Sequence, residues 1–557
     1  MGERAVSDPD ALMADAERVL AAGPNAAMLG RLAEAWRAYP GHAGVTRLLA
    51  DALRLAGQAD QAVAAYAAAL ALDAMSFEAW FGMAQAQMAR GAFAVARDAL
   101  VQALGLRPQA EEARCLLAEA LFLLGEADAA SAAYQRVIAR AEPAVRDAAL
   151  ASLAVMIPGS AAASHEMVRA VREAWIGRVG GAIKAMPMRA APSGRRIRVG
   201  YLSAFFGDRH WMKTAYGVIN RHDREAFEVF LIADGAEPSG AAGYVAQAGD
   251  RVLQAKGMAN GALARAIAQA ELDVLVDLNG YALPGRLGLF PYRPVRFQVG
   301  WLNVSGTSGV PGIDAVVGDA VVIRPEEEAQ YSERVLRVPG SCLAFQVPYA
   351  VPDVAPLPWL ANRAPTLGCL GSAHKLTPQT IEAWAAILRA VPAARLVVGN
   401  AALDEEGNRA ELLRRLEGRG VAADRVTLSG RAEHAAFLRG YAAIDLALDT
   451  MPTSGTATTA EALWQGVPVL AVEGDRWASR TSASLLRAAG LSEWVARDVD
   501  GFVGQAVALL SDAETPGRLV SLRAGMRERL MASAACDSTG LCRGLEALYT
   551  QGLEEHP

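Results

Sequence analysis

The chain has 557 residues, more than one hydrophobic core normally serves, so several domains are expected. It is 53% hydrophobic and 20% charged with a mean hydropathy of +0.17, which excludes extended disorder. The net charge of -6 and pI of about 5.8 give no basic footprint for nucleic acid or anionic membranes. Five cysteines (Cys115, Cys342, Cys369, Cys536, Cys542) form no Cys-x-x-Cys pair, and the odd number suggests reduced thiols rather than a disulfide framework. The start MGERAVSDPD lacks an apolar leader core, and no apolar run approaches the roughly 18–20 residues that span a bilayer, so a cytoplasmic protein is expected.

Alanine dominates before residue 160 and favours closely packed helices. Glycines recur at Gly23, Gly57, Gly91 and Gly125, each 34 residues after the last. Ala62, Ala96 and Ala130 keep step with them, as do Tyr66, Leu100 and Tyr134. This period resembles a tetratricopeptide array, best matched from Phe77 to Ala110, where Trp80, Gly91, Ala96, Ala103 and Pro108 fit the helix-turn-helix pattern. The array is assigned to residues 1–144, as three clear units behind a degenerate cap, and implies a protein partner in its groove. A generic Ala-rich bundle is the alternative. Residues 145–195 read as a helical connector ending in the linker MRAAPSGRR.

From IRVGYLSAFF onward, apolar strands alternate with amphipathic helices, and the pattern restarts at TLGCLG. Such alternation predicts two doubly wound parallel sheets, at 196–350 and 351–557, joined by the proline-rich VPYAVPDVAPLPWLANRAP. Two facing Rossmann-like halves describe the glycosyltransferase B fold, with ligands at the carboxyl ends of the strands. The expected fold is therefore an α-helical tetratricopeptide superhelix followed by an α/β glycosyltransferase B fold.

Three segments carry a more specific resemblance: DLNGYALPGRLGLFPYRPVRFQVGWLNVSGTSGVPGIDAVVGD, LTPQTIEAWAAILRAVPAARLVV and LALDTMPTSGTATTAEALWQGVPVL. In order and spacing they resemble the O-linked N-acetylglucosamine transferase and SPINDLY family, glycosyltransferase family 41. The resemblance implies an inverting, metal-independent protein O-glycosyltransferase with no cofactor besides its nucleotide-sugar substrate. It implies a catalytic Lys375 at the donor diphosphate and a nucleotide-sugar site including Ser372, Thr456, Thr458, Thr459 and Glu461. Ser372 stands where the N-acetylglucosamine branch carries glutamine. The segment PTSGTATTAEALW opens a helix after a strand, which by itself is either an anion site or an ordinary threonine cap. His434 borders the expected base pocket, while gap-free counting from Asp445 puts Phe437 in the family's histidine slot.

On the acceptor side, relatives carry histidine where this chain has Arg209. His210 follows, either a catalytic base or a structural histidine, and Lys213 lies one turn on. Asn279, Gly280, Tyr281 and Thr307 are assigned to the same cleft wall, with turn geometry as the alternative for the glycine turns. Asp498-Val499-Asp500 looks like a metal-binding Asp-x-Asp, but Asp500 is read as a helix N-cap, and no metal site is assigned. UDP-N-acetylglucosamine is the first choice of donor. The turn is closer to the fucosyl-transferring SPINDLY branch, so GDP-fucose stays open, as do a different activated sugar on a bacterial surface or flagellar protein and an inactive scaffold.

Overall fold

The computed structural model describes residues 8–180, 183–188 and 194–555. The linker read at MRAAPSGRR falls largely outside them, as does most of the segment read for a leader. The chain divides into two compact units, residues 1–149 with 400–415, and residues 150–399 with 416–557.

The first unit stacks α1 (Pro9–Leu20), α2 (Ala26–Ala38), α3 (Ala43–Leu55), α4 (Ala59–Leu72), α5 (Phe77–Arg90), α6 (Phe93–Leu106), α7 (Glu111–Leu123) and α8 (Ala127–Arg140). The four periodic glycines all adopt positive φ, from 75° to 123°, which lets the chain leave each first helix sharply. Ala62, Ala96 and Ala130 are fully buried, because a larger side chain would push the paired helices apart. Gly82 answers the same need, since a Cβ there would lie 2.4 Å from the Tyr66 ring. The segment 400–415 completes this unit through Asn408. Its amide accepts from the Ala94 N–H at 3.0 Å and donates to the Gly91 carbonyl at 2.7 Å, capping the turn between α5 and α6. Arg97 pairs with Glu411 at 3.2 Å, and Arg415 donates to the Leu124 carbonyl at 2.8 Å.

The second unit contains two wholly parallel sheets. The first comprises β1 (Ile197–Ser203), β2 (Phe227–Ala233), β3 (Arg251–Gln254), β4 (Val274–Asp277), β5 (Phe297–Gly300), β6 (Ala315–Gly318) and β7 (Arg334–Arg337), ordered β3-β2-β1-β4-β5-β6-β7. The second comprises β8 (Thr366–Cys369), β9 (Arg395–Gly399), β10 (Val426–Ser429), β11 (Leu446–Leu448), β12 (Val469–Val472) and β13 (Val495–Ala496), ordered β10-β9-β8-β11-β12-β13. Strands β4, β5, β6 and β8 are buried throughout, as strands covered by helices on both faces must be. The expected glycosyltransferase B architecture behind a helical-repeat array is what forms. The terminal helix Ser538–Glu555 crosses back to the first sheet, where Gly552 rides on the Phe297 ring.

One helix start differs from expectation. The cap of Val499–Ser511 is Asp498, whose carboxylate accepts from the Gly501 N–H at 2.7 Å, while Asp500 lies within the first turn. The capping residue must precede the first helical residue to reach an N–H three positions on, and Asp500 is already too far along.

Candidate active site

In each sheet the strand order reverses at one place, between β1 and β4 and between β8 and β11. Segments that follow the carboxyl ends of β1, β5, β8 and β11 form a cavity of about 340 Å³, with His210, Trp211 and Trp301 on one side and Lys375, Thr456 and Thr458 on the other.

On the second side, the helix Ala457–Trp464 begins directly after the loop that leaves β11. Thr456 sits at its cap position without a side-chain capping bond, so its hydroxyl is not spent on the helix end. Thr458 also faces the cavity, whereas Thr459 is buried with its hydroxyl 2.8 Å from that of Ser482. Lys375 donates to the Ser454 carbonyl at 2.8 Å, which places an ammonium beside the loop feeding the helix N-terminus. Cation and free helix N–H groups together suit a diphosphate. Burial lowers the Lys375 pKa from the usual lysine value, and the charge of Asp449 opposes that fall. Asp449 also accepts from the Gly455 N–H at 2.8 Å, tying the loop down. The sequence reading missed it, although an aspartate ending the strand LALDT was a visible signal. Ser372 is exposed at the cavity edge and accepts from the Lys375 N–H through its carbonyl.

Glu461 lies one helical turn further in and is buried. The Lys213 ammonium meets its carboxylate at 2.5 Å, with side-chain exposures of 1% and 5%. Lys213 was expected to face an acceptor, but it reaches across to the opposite half, because a buried ammonium needs a buried counter-charge. Beside this pair, His434 opens a helix (His434–Gly440) and its Nε2 is 2.8 Å from the Tyr349 hydroxyl. Burial, helped by the charges of Lys213, His210 and Arg209, lowers the His434 pKa to about 4, so the ring is neutral at pH 7. Phe437 stacks on His434 at 6.3 Å and meets Tyr441 edge-on at 5.7 Å. Both residues read for the base pocket therefore belong to one aromatic wall. The His210 ring is edge-on to His434 at 4.3 Å, and the Arg209 guanidinium is 5.4 Å from the Tyr349 ring.

The remaining first-half residues build the wall from behind. Asn279 is buried and accepts from the Ala204 N–H at 2.8 Å. Gly280 has φ +48°, and a Cβ there would lie 2.4 Å from the Asn303 carbonyl oxygen. Tyr281 donates to the Ser308 carbonyl at 2.7 Å beneath the Arg172 guanidinium, and Thr307 donates to Glu333 at 2.7 Å. Tyr281 and Thr307, assigned to the cleft surface from the sequence, are thus buried, each with its hydroxyl committed to a neighbour. Asn303 and Ser305 face the cavity instead, both at positive φ. Two further linings, Trp211 and Trp477, also escaped the sequence reading, since isolated tryptophans in amphipathic segments look like core.

Residues 181–344 and 364–545 match glycosyl transferase family 41. The chain belongs to that family. A tomato protein named as a probable UDP-N-acetylglucosamine–peptide N-acetylglucosaminyltransferase SPINDLY is 33% identical over 287 residues, 51% of this chain and 30% of that protein. The Arabidopsis relative named SEC is 26% identical over 378 residues, 65% of this chain and 38% of its own length. The chain thus spans about a third of the length of these curated relatives. A mutant of the Thermobaculum terrenum O-GlcNAc transferase superposes with a TM-score of 0.69 at 28% identity, covering 100% of this chain and 99% of that one.

The buried pair in this family 41 site can be tested directly. Lys213→Met strands the Glu461 carboxylate and is expected to lower stability by about 3 kcal/mol, as loss of one partner in a buried ion pair does. Adding Glu461→Gln should restore most of the melting temperature, since both charges are then gone. A single variant that melts with the parent would show that water already solvates the pair.

Proposed function

We propose that this chain transfers a sugar, with inversion, from a nucleotide-sugar donor to a serine or threonine hydroxyl of a protein held by the repeat array. The observation that carries the reading is Lys375 set against the loop entering Ala457–Trp464, where the two sheets present their switch points. The hydroxyl oxygen forms a bond to the anomeric carbon as the bond to the diphosphate oxygen breaks. Lys375 and the helix N–H groups hold the charge gained by the departing nucleotide diphosphate. His210 takes the hydroxyl proton in this reading, which its position in the cavity lining supports. Glu461 serves the ribose hydroxyls, sharing its carboxylate with Lys213, and the wall of His434 and Phe437 flanks the base.

The names of the curated relatives and of the superposed structure support UDP-N-acetylglucosamine as donor. The turn PTSGTATTAE favours GDP-fucose as the second reading. Melting-temperature shifts with UDP, GDP and CMP separate them, and mass spectrometry of a modified protein acceptor tests transfer. No shift with any nucleotide would leave the chain a scaffold.

Transfer is expected to need no metal, because Lys375 supplies the cation at the diphosphate. The carboxylate nearest the two cleft histidines, Glu461, is already neutralised by Lys213. Initial rates should be unchanged in EDTA. Abolished activity that returns with manganese would overturn this.

A further inference from the structure

Outside the set of cavity-lining residues just described, the terminal helix Ser538–Glu555 carries Cys542 and Glu546 four residues apart, on one face. Both point at His222, which lies in the loop before β2. The three side chains are buried, with His222 and Cys542 fully so. The His222 Nδ1 is 2.9 Å from the Glu546 Oε1 and 3.6 Å from the Cys542 Sγ, and the sulfur is 3.7 Å from the same carboxylate oxygen.

These three distances can be set against a tetrahedral zinc ion. Bonds of about 2.3 Å to sulfur and about 2.1 Å to nitrogen and oxygen place sulfur roughly 3.6 Å from each of the other ligands, and nitrogen about 3.4 Å from oxygen. Both sulfur distances agree to about 0.1 Å, and the third needs the carboxylate and imidazole to part by about half an ångström. The surroundings match what zinc ligands require. The Tyr201 hydroxyl is 2.6 Å from the His222 Nε2, fixing the ring so that Nδ1 faces the sulfur and carboxylate. Glu546 is held independently by the Asp223 N–H at 2.8 Å and by Arg543. It has hydrogen-bond donors to spare if the imidazole turns to a metal. Arg224, the other nearby cation, is engaged by Asp250 at 2.9 Å.

We propose that His222, Cys542 and Glu546 form a structural zinc site that staples the terminal helix to the first sheet domain. On binding, the Cys542 thiol releases its proton. His222 carries its own proton on Nε2 and donates it to the Tyr201 oxygen, while the Tyr201 hydroxyl turns to that of Tyr549, 3.3 Å away. Thiolate, imidazole and carboxylate supply three ligands, Arg543 stays paired with the second oxygen of the carboxylate, and water completes four-coordination.

The site is separate from the proposed transfer chemistry, and its test does not read activity. The full chain, purified without a polyhistidine tag, should compete for one zinc per molecule against a chromophoric chelator. Its cobalt form should show a thiolate-to-cobalt charge-transfer band. Cys542→Ser preserves volume and the hydrogen-bonding pattern, so it should fold, yet lose the band and most of the affinity. Tyr201→Phe should weaken zinc binding by about 10- to 100-fold. Zinc should also raise the melting temperature of the parent chain and leave that of Cys542→Ser unchanged. A purely hydrogen-bonded cluster predicts the opposite pattern: no stoichiometric zinc, no cobalt band, and the same melting temperature for both proteins with or without zinc. Zinc bound equally well by Cys542→Ser would also overturn the assignment.

Discussion

Lys375→Ala is expected to reduce turnover roughly 100-fold while leaving the melting temperature close to that of the parent chain. The loss of a preorganised charge at a leaving group typically costs on the order of 3 kcal/mol, which gives that factor. The stability expectation follows from the side chain's single hydrogen bond, to the Ser454 carbonyl, and from the burial that already disfavours its charge. An ammonium whose pKa is lowered has a second consequence. As pH rises through the depressed value the group becomes neutral, so the alkaline limb of the rate profile should begin below the range of an ordinary lysine. The variant should lack that limb. Initial rates equal to those of the parent would remove Lys375 from the chemistry.

Where sequence reasoning reached this site, it did so through residues that sit at strand ends or helix starts. Thr456, Thr458 and Lys375 are placed by local chain geometry, and a strand followed by a short loop and a helix is visible as a pattern. What stayed hidden depends on contacts between distant segments. Lys213 and Glu461 are 248 residues apart, and no spacing rule could pair them across the cleft. Thr307 sits in a glycine-rich turn that reads as a cleft loop, yet Glu333, on another segment, draws its hydroxyl inward. Periodicity carried the repeat array, because the same small residues must recur wherever two helices approach. It could not show that residues 400–415 join that unit, since the Asn408 amide matches a turn in α5–α6 by shape and hydrogen bonding alone.

That contribution decides how acceptor selection by the array should be tested. Deleting residues 1–144 would leave Asn408, Glu411 and Arg415 without the partners they have in the repeat helices, so a loss of activity could reflect damage alone. Substitutions at repeat-equivalent positions avoid this. Arg54, Met88 and Phe122 share one register, 34 residues apart, as do Asp51, Gln85 and Glu119 and also Arg47, Phe81 and Cys115. None of the nine is buried, although buried residues surround them on α3, α5 and α7. Repetition of a surface-accessible stripe along successive first helices is the arrangement by which such arrays grip an extended partner. Replacing Met88 and Phe122 together by alanine should leave the nucleotide-induced melting shift and donor hydrolysis unchanged. Glycosylation of a protein acceptor should fall on the order of 100-fold in kcat/KM, because the array raises the local concentration of acceptor hydroxyls without entering the chemical step. A short peptide acceptor that does not reach the array should be modified at the parent rate. Equal losses for peptide and protein would mean that the substitutions disturb the transferase domain, and full activity on the protein would mean that the stripe does not select it.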